Sequence, residues 1–373
     1  AFPFYFTNVF GLSLADTAAL MLIARMFDVV TDPLMGSLAD RTQSRWGIYR
    51  PWLIFGSIPF GLIFALLLFT PDLGPVAKRV YAYVFYLLMM VVYTAVNVPY
   101  GSLLGVMTDD DNEKNESSSF RMVGAYAMGF VTLLSFPYLQ KIVGGSDAHQ
   151  YAVLGAGFGI LAASMTLTCG LLTRERVKQV RAEKFSFSQF ANLFKNKPWI
   201  ILPSIGICTN FFNGFRYAVA AYIFQYCMGG DITVGSLIIN YTVFMAFGEV
   251  TCMIFGGVSP KFTAWVGSKR MAFILSSIVC LVLSVAFFFV PMTPSSIWIM
   301  ITLVVLTSVG VGIFSPLLWS MYADVADYAT ETFGTSSTGL IFSSGTMAQK
   351  FGGAVSGSLI ALLLGIAGAT MIS

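Results

Sequence analysis

Apolar residues occur along this chain in long blocks rather than in short alternating runs. Ten blocks cover about 14–37, 51–70, 79–106, 119–143, 151–173, 198–227, 235–258, 271–291, 296–322 and 338–368. Each is long enough for a helix to cross a bilayer, which takes about 20 residues for roughly 30 Å of hydrocarbon. The opening run, 1–10, is too short to cross, and Ala1 is not a start methionine. It reads as the exit end of a helix whose start lies before the sequence, and one more helix after Ser373 would complete the second group of spans. The pattern predicts an all-α polytopic membrane protein.

The polar segments between the blocks sort by charge. Loops 38–50, 107–121, 174–197 and 259–270 hold 3, 2, 7 and 3 Lys/Arg, which is 15 of the 21 in the chain. The opposite loops hold only Lys78, Arg79 and Lys141. Basic loops stay in the cytoplasm, so the first set is cytoplasmic. The longest polar stretch, 174–197, separates six spans, counting the partial one, from five. Three segments follow: a first bundle over 1–173, a central cytoplasmic loop over 174–197 and a second bundle over 198–373. A six-plus-six transporter has this layout, with its sites between the repeats.

Composition narrows the classes further. Hydrophobic residues make up 57% of the chain and charged residues 10%, with a formal charge of +3. About 25% charged residues is usual for a soluble domain. Water-soluble and disordered classes are excluded, and basic loops on an apolar chain point to a lipid bilayer, not to nucleic acid. The one histidine, His149, leaves no parts for metal–His or Ser-His-Asp chemistry. The five cysteines lie in apolar runs without a CxxC and read as small buried hydrophobes. An enzyme is not expected.

Charges inside apolar spans are costly, so each needs a reason. Asp28 and Asp32 lie in the span 14–37, four residues apart and therefore on one helical face, with Arg25 one turn earlier and Thr31 beside them. Two carboxylates this close in a low dielectric resist joint ionisation. They share a proton or take up a cation. Thr31, Thr94 and Asn97 can supply further oxygens at similar depth. The alternative is an Arg25–Asp28 pair that only locks helices together, with Asp32 at a wet helix end. Arg216, Glu249 and Lys350 are the charged residues inside the second group of spans. Lys350, with Thr346 one turn before it and Gln349 adjacent, suits a carboxylate partner or a sugar hydroxyl. No motif surrounds Arg216 or Glu249, and a structural role is the simpler reading for them.

Four segments carry a resemblance: FTNVFGLS at 6–13, ARMFDVVTDPLMGSLADRTQSRWGIYRPW at 24–52, VNVPYGSL at 96–103 and ADVADY at 323–328. They resemble the glycoside–pentoside–hexuronide:cation symporters, a melibiose-permease-like branch of the major facilitator superfamily. GSLADRT at 36–42 is similar to the superfamily's loop motif between helices 2 and 3. The resemblance implies the major-facilitator fold, two six-helix bundles, of which this chain covers about the end of helix 1 to helix 11. It implies a cation site on Asp28, Thr31, Asp32 and Thr94, to which Asn97 is added by its similar depth. It implies sugar contacts from Arg121 and Lys350, and depth and spacing add Asn97, Thr346 and Gln349 to them. The chain departs from the melibiose-permease pattern at Asn97, where that pattern has an aspartate, and at Gly101 and Ser315, where it has tryptophans.

The function expected is H⁺- or Na⁺-coupled symport of a sugar or glycoside by alternating access. The carrier would be a monomer in the inner membrane of a bacterium, with no cofactor beyond the coupling ion and no metal beyond a Na⁺ at the cation site. A lysolipid or other amphiphile carrier on the same scaffold, or a non-transporting membrane sensor, are the rivals. A cytoplasmic gate is expected from opposite-sign clusters. Asp40 and Arg41, followed by Arg45 and Arg50, would face Asp324, Asp327 and Glu331 of a loop over 323–337.

Overall fold

The computed structural model describes residues 4–177, 196–234, 237–333 and 337–366. Ten long helices account for most of them: α1 Leu14–Ala39, α2 Arg50–Leu67, α3 Pro75–Ser102, α5 Asp111–Val143, α6 Asp147–Leu172, α7 Lys197–Tyr222, α8 Tyr241–Val266, α9 Lys269–Phe288, α10 Ile297–Phe333 and α11 Thr338–Ile366. A four-residue helix, α4 Leu104–Met107, follows α3, and π-helical turns occupy Tyr5–Val9 and Ile223–Cys227. Most of the central segment expected over 174–197 lies outside the described residues. Seven helices among the described residues are long and apolar enough to cross a membrane. α1 is not among them, and it carries Asp16, Arg25, Asp28 and Asp32. Many large apolar side chains are exposed, including Ile58, Ile160 and Val282, which suits helices bathed in hydrocarbon.

Local chemistry sets the helix starts. Ser13 accepts the Asp16 amide at 3.0 Å and caps α1, and Asn240 does the same for α8 through Val243. Pro51 and Pro75 open α2 and α3, where a missing N–H costs nothing. Several ends differ from the apolar blocks. α5 begins at Asp111, eight residues before its block, because nothing in DNEKNESS breaks a helix. α10 runs on to Phe333, so Asp324, Asp327 and Glu331 stand on a helix and not in a loop. No proline or glycine follows Pro316 until Gly334. The block expected to begin at 235 starts its helix only at Tyr241. Before it, β1 Ile232–Val234 and β2 Leu237–Ile239, rich in β-branched residues, pair as two short antiparallel strands, with Ile232 opposite Ile239.

The chain forms two compact units. The first comprises Ala1–Asp109, Phe136–Ile200 and Val325–Met347, and the second Asp110–Ser135, Ile201–Asp324 and Ala348–Ser373. The first holds a core of Tyr5, Phe6, Phe10, Leu20, Leu67 and Tyr86, and a second cluster around Met35, Tyr49, Leu53 and Val98. In the second unit Ala220, Phe224, Phe244, Met300 and Val304 form one cluster, and Cys252, Cys280, Val311 and Phe314 another. Cys252 and Cys280 are thus core residues as expected. Cys208 and Cys227 are exposed instead.

Candidate functional site

In the first unit, the buried residues of α1 follow helical spacing: Leu20, Ala24, Asp28, Asp32, Met35 and Ala39. The two carboxylates therefore sit in the helix's packed seam. Asp28 is 2% exposed and Asp32 0%. α3 brings Thr94 against them, and its hydroxyl donates to Asp32 Oδ1 at 2.8 Å. Arg25 Nη1 lies 3.7 Å from Asp28 Oδ2, but its side chain is 47% exposed while that of Asp28 is 3%. An ion pair with one wet partner offsets little of a buried carboxylate's desolvation. Thr31 does not join the carboxylates, since its hydroxyl donates back to Phe27 O at 3.1 Å. Asn97 makes no hydrogen bond to either carboxylate. It lines a cavity of about 310 Å³ with Phe60, Tyr93, Tyr100 and Thr166, between α2, α3 and α6.

In the second unit, α5 places the Arg121 guanidinium 4.2 Å from the centre of the Trp319 ring on α10. Because α5 starts at Asp111, Arg121 stands ten residues into the helix rather than at its end. On α11, Lys350 is half-buried and Gln349 exposed, both within the second unit. Thr346 belongs to the first unit. It is buried, and its hydroxyl donates to Phe342 O at 3.2 Å within its own helix.

The residues of this chain match the family model described as "MFS/sugar transport protein" over 1–372. The chain belongs to that family. It is 32% identical over 369 residues to "Inner membrane symporter YicJ" of Escherichia coli (strain K12), covering 98% of this chain and 77% of the relative. "Putative glycoside/cation symporter YagG" of the same organism is 30% identical, with 97% and 77% covered. "Isoprimeverose transporter" of Lactiplantibacillus pentosus is 29% identical, with 98% and 75% covered. The crystal structure of the E. coli fucose:proton symporter FucP matches with a TM-score of 0.66 at 12% identity, over 94% of this chain and 85% of that one. The fold is thus the all-helical major-facilitator fold. The protein is an integral membrane transporter of the cation:glycoside/sugar symporter family and not an enzyme.

This MFS/sugar transport protein uses its loop motif in a way the charge pattern did not suggest. Asp40 ends α1 and accepts the Tyr49 hydroxyl at 2.5 Å, the Gly339 amide at 2.6 Å and the Leu340 amide at 3.2 Å. Its carboxylate therefore satisfies the open donors at the start of α11 and meets the positive end of that helix. The basic residues that follow have partners elsewhere in the first unit. Arg45 lies 4.2 Å over the Trp46 ring, and Arg50 donates to the carbonyls of Gly170 and Leu171 at the end of α6. Asp324 pairs with Lys269 at 2.7 Å within the second unit. A backbone clasp and a local ion pair thus stand where a latch between charged loops was expected. Asp327 lies on α10 in the first unit, half-buried.

Burial pushes the Asp40 carboxyl up to about 6, against the lowering by Tyr49, the two amides and Arg41. A carboxyl raised in the fold binds its proton more tightly there than in the unfolded chain. Its contribution to stability is therefore fullest below about pH 4 and is lost as pH rises through about 6. Asp40→Asn removes that dependence. The melting temperature of the wild type relative to this variant should fall between pH 4.5 and 7.5 in detergent, and a difference constant with pH would refute the assignment.

Two features had no readable signal. Glu175 accepts the amides of Ile48, Tyr49 and Arg50 at 2.7, 2.8 and 3.0 Å, so it caps α2 from 125 residues away. In the second unit, the Tyr217 hydroxyl on α7 donates to Glu249 Oε1 on α8. Both partnerships join segments whose proximity only the fold creates.

Proposed function

We propose that this protein carries a sugar or glycoside into the cell together with H⁺ or Na⁺ by alternating access. The buried Asp28–Asp32 seam with the Thr94 hydroxyl on Asp32 carries this reading. A proton or a cation neutralises the pair and lowers the cost of keeping it from water. Neutralisation favours the sugar-competent state, and by linkage the sugar tightens the cation to the same extent. Support for a glycoside comes from the relatives' names, a glycoside/cation symporter and an isoprimeverose transporter. Arg121, Gln349 and Lys350 of the second unit are the proposed sugar contacts. The first and second bundles, 1–173 and 198–373, are the moving bodies of this proposal.

Full-length protein in proteoliposomes tests it. Radiolabelled isoprimeverose and methyl glycosides should show counterflow, and an imposed inward H⁺ or Na⁺ gradient should drive accumulation. The ion whose gradient drives uptake is the coupling ion. Counterflow that neither gradient turns into accumulation would sink the symport mechanism.

A further inference from the structure

The second unit contains a polar cluster that the cation site does not use. Asn213, Arg216 and Tyr217 lie on one side of α7, three and four residues apart. Glu249 faces them from α8, where the Tyr217 hydroxyl donates to its Oε1. Tyr126 of α5 completes the cluster and donates to Ser315 Oγ at 2.9 Å. Residues this polar within apolar helices carry a function more often than not.

The hydrogen bonding of the cluster is incomplete. Arg216 Nε and Nη1 are buried with no acceptor, and Asn213 Oδ1 is buried with no donor. Arg216 makes no ion pair with Glu249, although the two interact electrostatically. Its guanidinium stands 5.7 Å from the Tyr217 ring centre and also reaches the Cys252 sulfur. The second oxygen of Glu249, Oε2, faces Gly129 of α5, where an added Cβ would meet it in ordinary contact at 3.7 Å. A purely structural salt bridge would close the pair and leave no open donors. Here buried donors on Arg216 and a buried acceptor on Asn213 stand open beside a carboxylate.

We infer that Asn213, Arg216, Tyr217 and Glu249 form a subsite for the vicinal hydroxyls of an uncharged sugar ring. A hydroxyl donates and accepts at once. Two neighbouring hydroxyls can take the Arg216 N–H groups while donating to Glu249 and Asn213, and the rings of Tyr126 and Tyr217 offer apolar faces to the C–H side of a sugar. The formal charges of Arg216 and Glu249 cancel. A uronate would gain Arg216 only by meeting Glu249, so the subsite selects neutral glycosides over acidic ones. This inference rests on the sugar-symporter reading and adds the residues that set its substrate class.

The test is calorimetric binding to full-length protein in nanodiscs. The probes are isoprimeverose, methyl β-D-xyloside, methyl β-D-glucoside and p-nitrophenyl β-D-glucuronide, and cation binding is measured alongside as a readout of the folded first unit. Wild type should bind at least one neutral probe more tightly than the glucuronide. Glu249→Gln should weaken the neutral probe at least tenfold and move the neutral-to-glucuronide preference at least tenfold towards the glucuronide, with cation binding kept. A residue that merely holds helices together would not move that ratio. Tyr217→Phe removes one hydroxyl only and should weaken the neutral probe about threefold, so it carries the test if Glu249→Gln fails to fold. Wild type that binds a neutral probe, with Kd unchanged within twofold in the folded variants, would overturn the subsite and leave the symporter reading standing. A wild-type preference for the glucuronide would also overturn it. No saturable binding of any probe by wild type would overturn the symporter reading and the subsite together.

Discussion

Asp32→Asn should reduce concentrative sugar uptake by at least about 100-fold while leaving counterflow measurable. Asp32 is fully buried and accepts the Thr94 hydroxyl at 2.8 Å. The asparagine amide oxygen can accept the same hydroxyl, so the α1–α3 seam should survive. The amide cannot take up a proton, and as a neutral ligand it holds a cation less well than a carboxylate does. Coupling free energies between sites are typically 1–3 kcal/mol, and a factor of about 100 lies at the upper end of that range. Exchange down a gradient does not need the coupling, so counterflow separates loss of coupling from loss of folding. Accumulation by Asp32→Asn at the wild-type level would remove Asp32 from the mechanism.

How much of this was legible before the structure depended on the distance over which each contact acts. The carboxylate seam could be read because its spacing lies within one helix, where i and i+4 fix a common face. Pro33, one residue after Asp32, did not mislead, since the helix runs through it to Ala39. The ends of α5 and α10 were misread because hydropathy stops where the bilayer stops, whereas a helix stops where its hydrogen bonding is broken. Asn97 was grouped with the carboxylates on family pattern and depth. Depth along a helix does not give direction around it, and the Asn97 side chain lines the cavity between α2, α3 and α6 instead. Arg216 and Glu249 stand out as costly charges, but Tyr217 and Glu249 lie 32 residues apart and no local rule joins them. The charge clusters near the cytoplasmic ends suggested a latch between loops. The fold instead uses the acidic member, Asp40, on backbone amides, which hydropathy and charge patterns do not display.

Gly61→Leu should prevent stable folding of the first unit, while Gly157→Ala, on the facing helix, should be tolerated. α2 and α6 pass so closely that a Cβ on Gly61 would stand 2.5 Å from Gly159 O, and a Cβ on Gly159 would stand 2.5 Å from Gly61 O. Small residues permit this approach between membrane helices, where dispersion contacts and not water release hold helices together. The atom in the way is a helix carbonyl, so it cannot swing aside as a flexible side chain would. Gly155 packs under Leu68 and Gly170 against Ile54, so the same helix pair is close along much of its length. A leucine at 61 must therefore push the helices apart and open contacts above and below it. Overpacking in a core costs about 1–3 kcal/mol, and a rigid backbone obstacle places this case at or above the upper end. Helix propensity returns only about 1 kcal/mol when glycine is replaced. Gly157 has nothing within 4 Å of an added Cβ, so alanine there keeps the propensity gain without the clash. Thermal melting of detergent-solubilised protein, followed by size exclusion, separates the two. Loss of the folded peak or a fall of several degrees is expected for Gly61→Leu, with no fall for Gly157→Ala. A Gly61→Leu protein that melts with the wild type would show that α2 and α6 do not pack through these glycines.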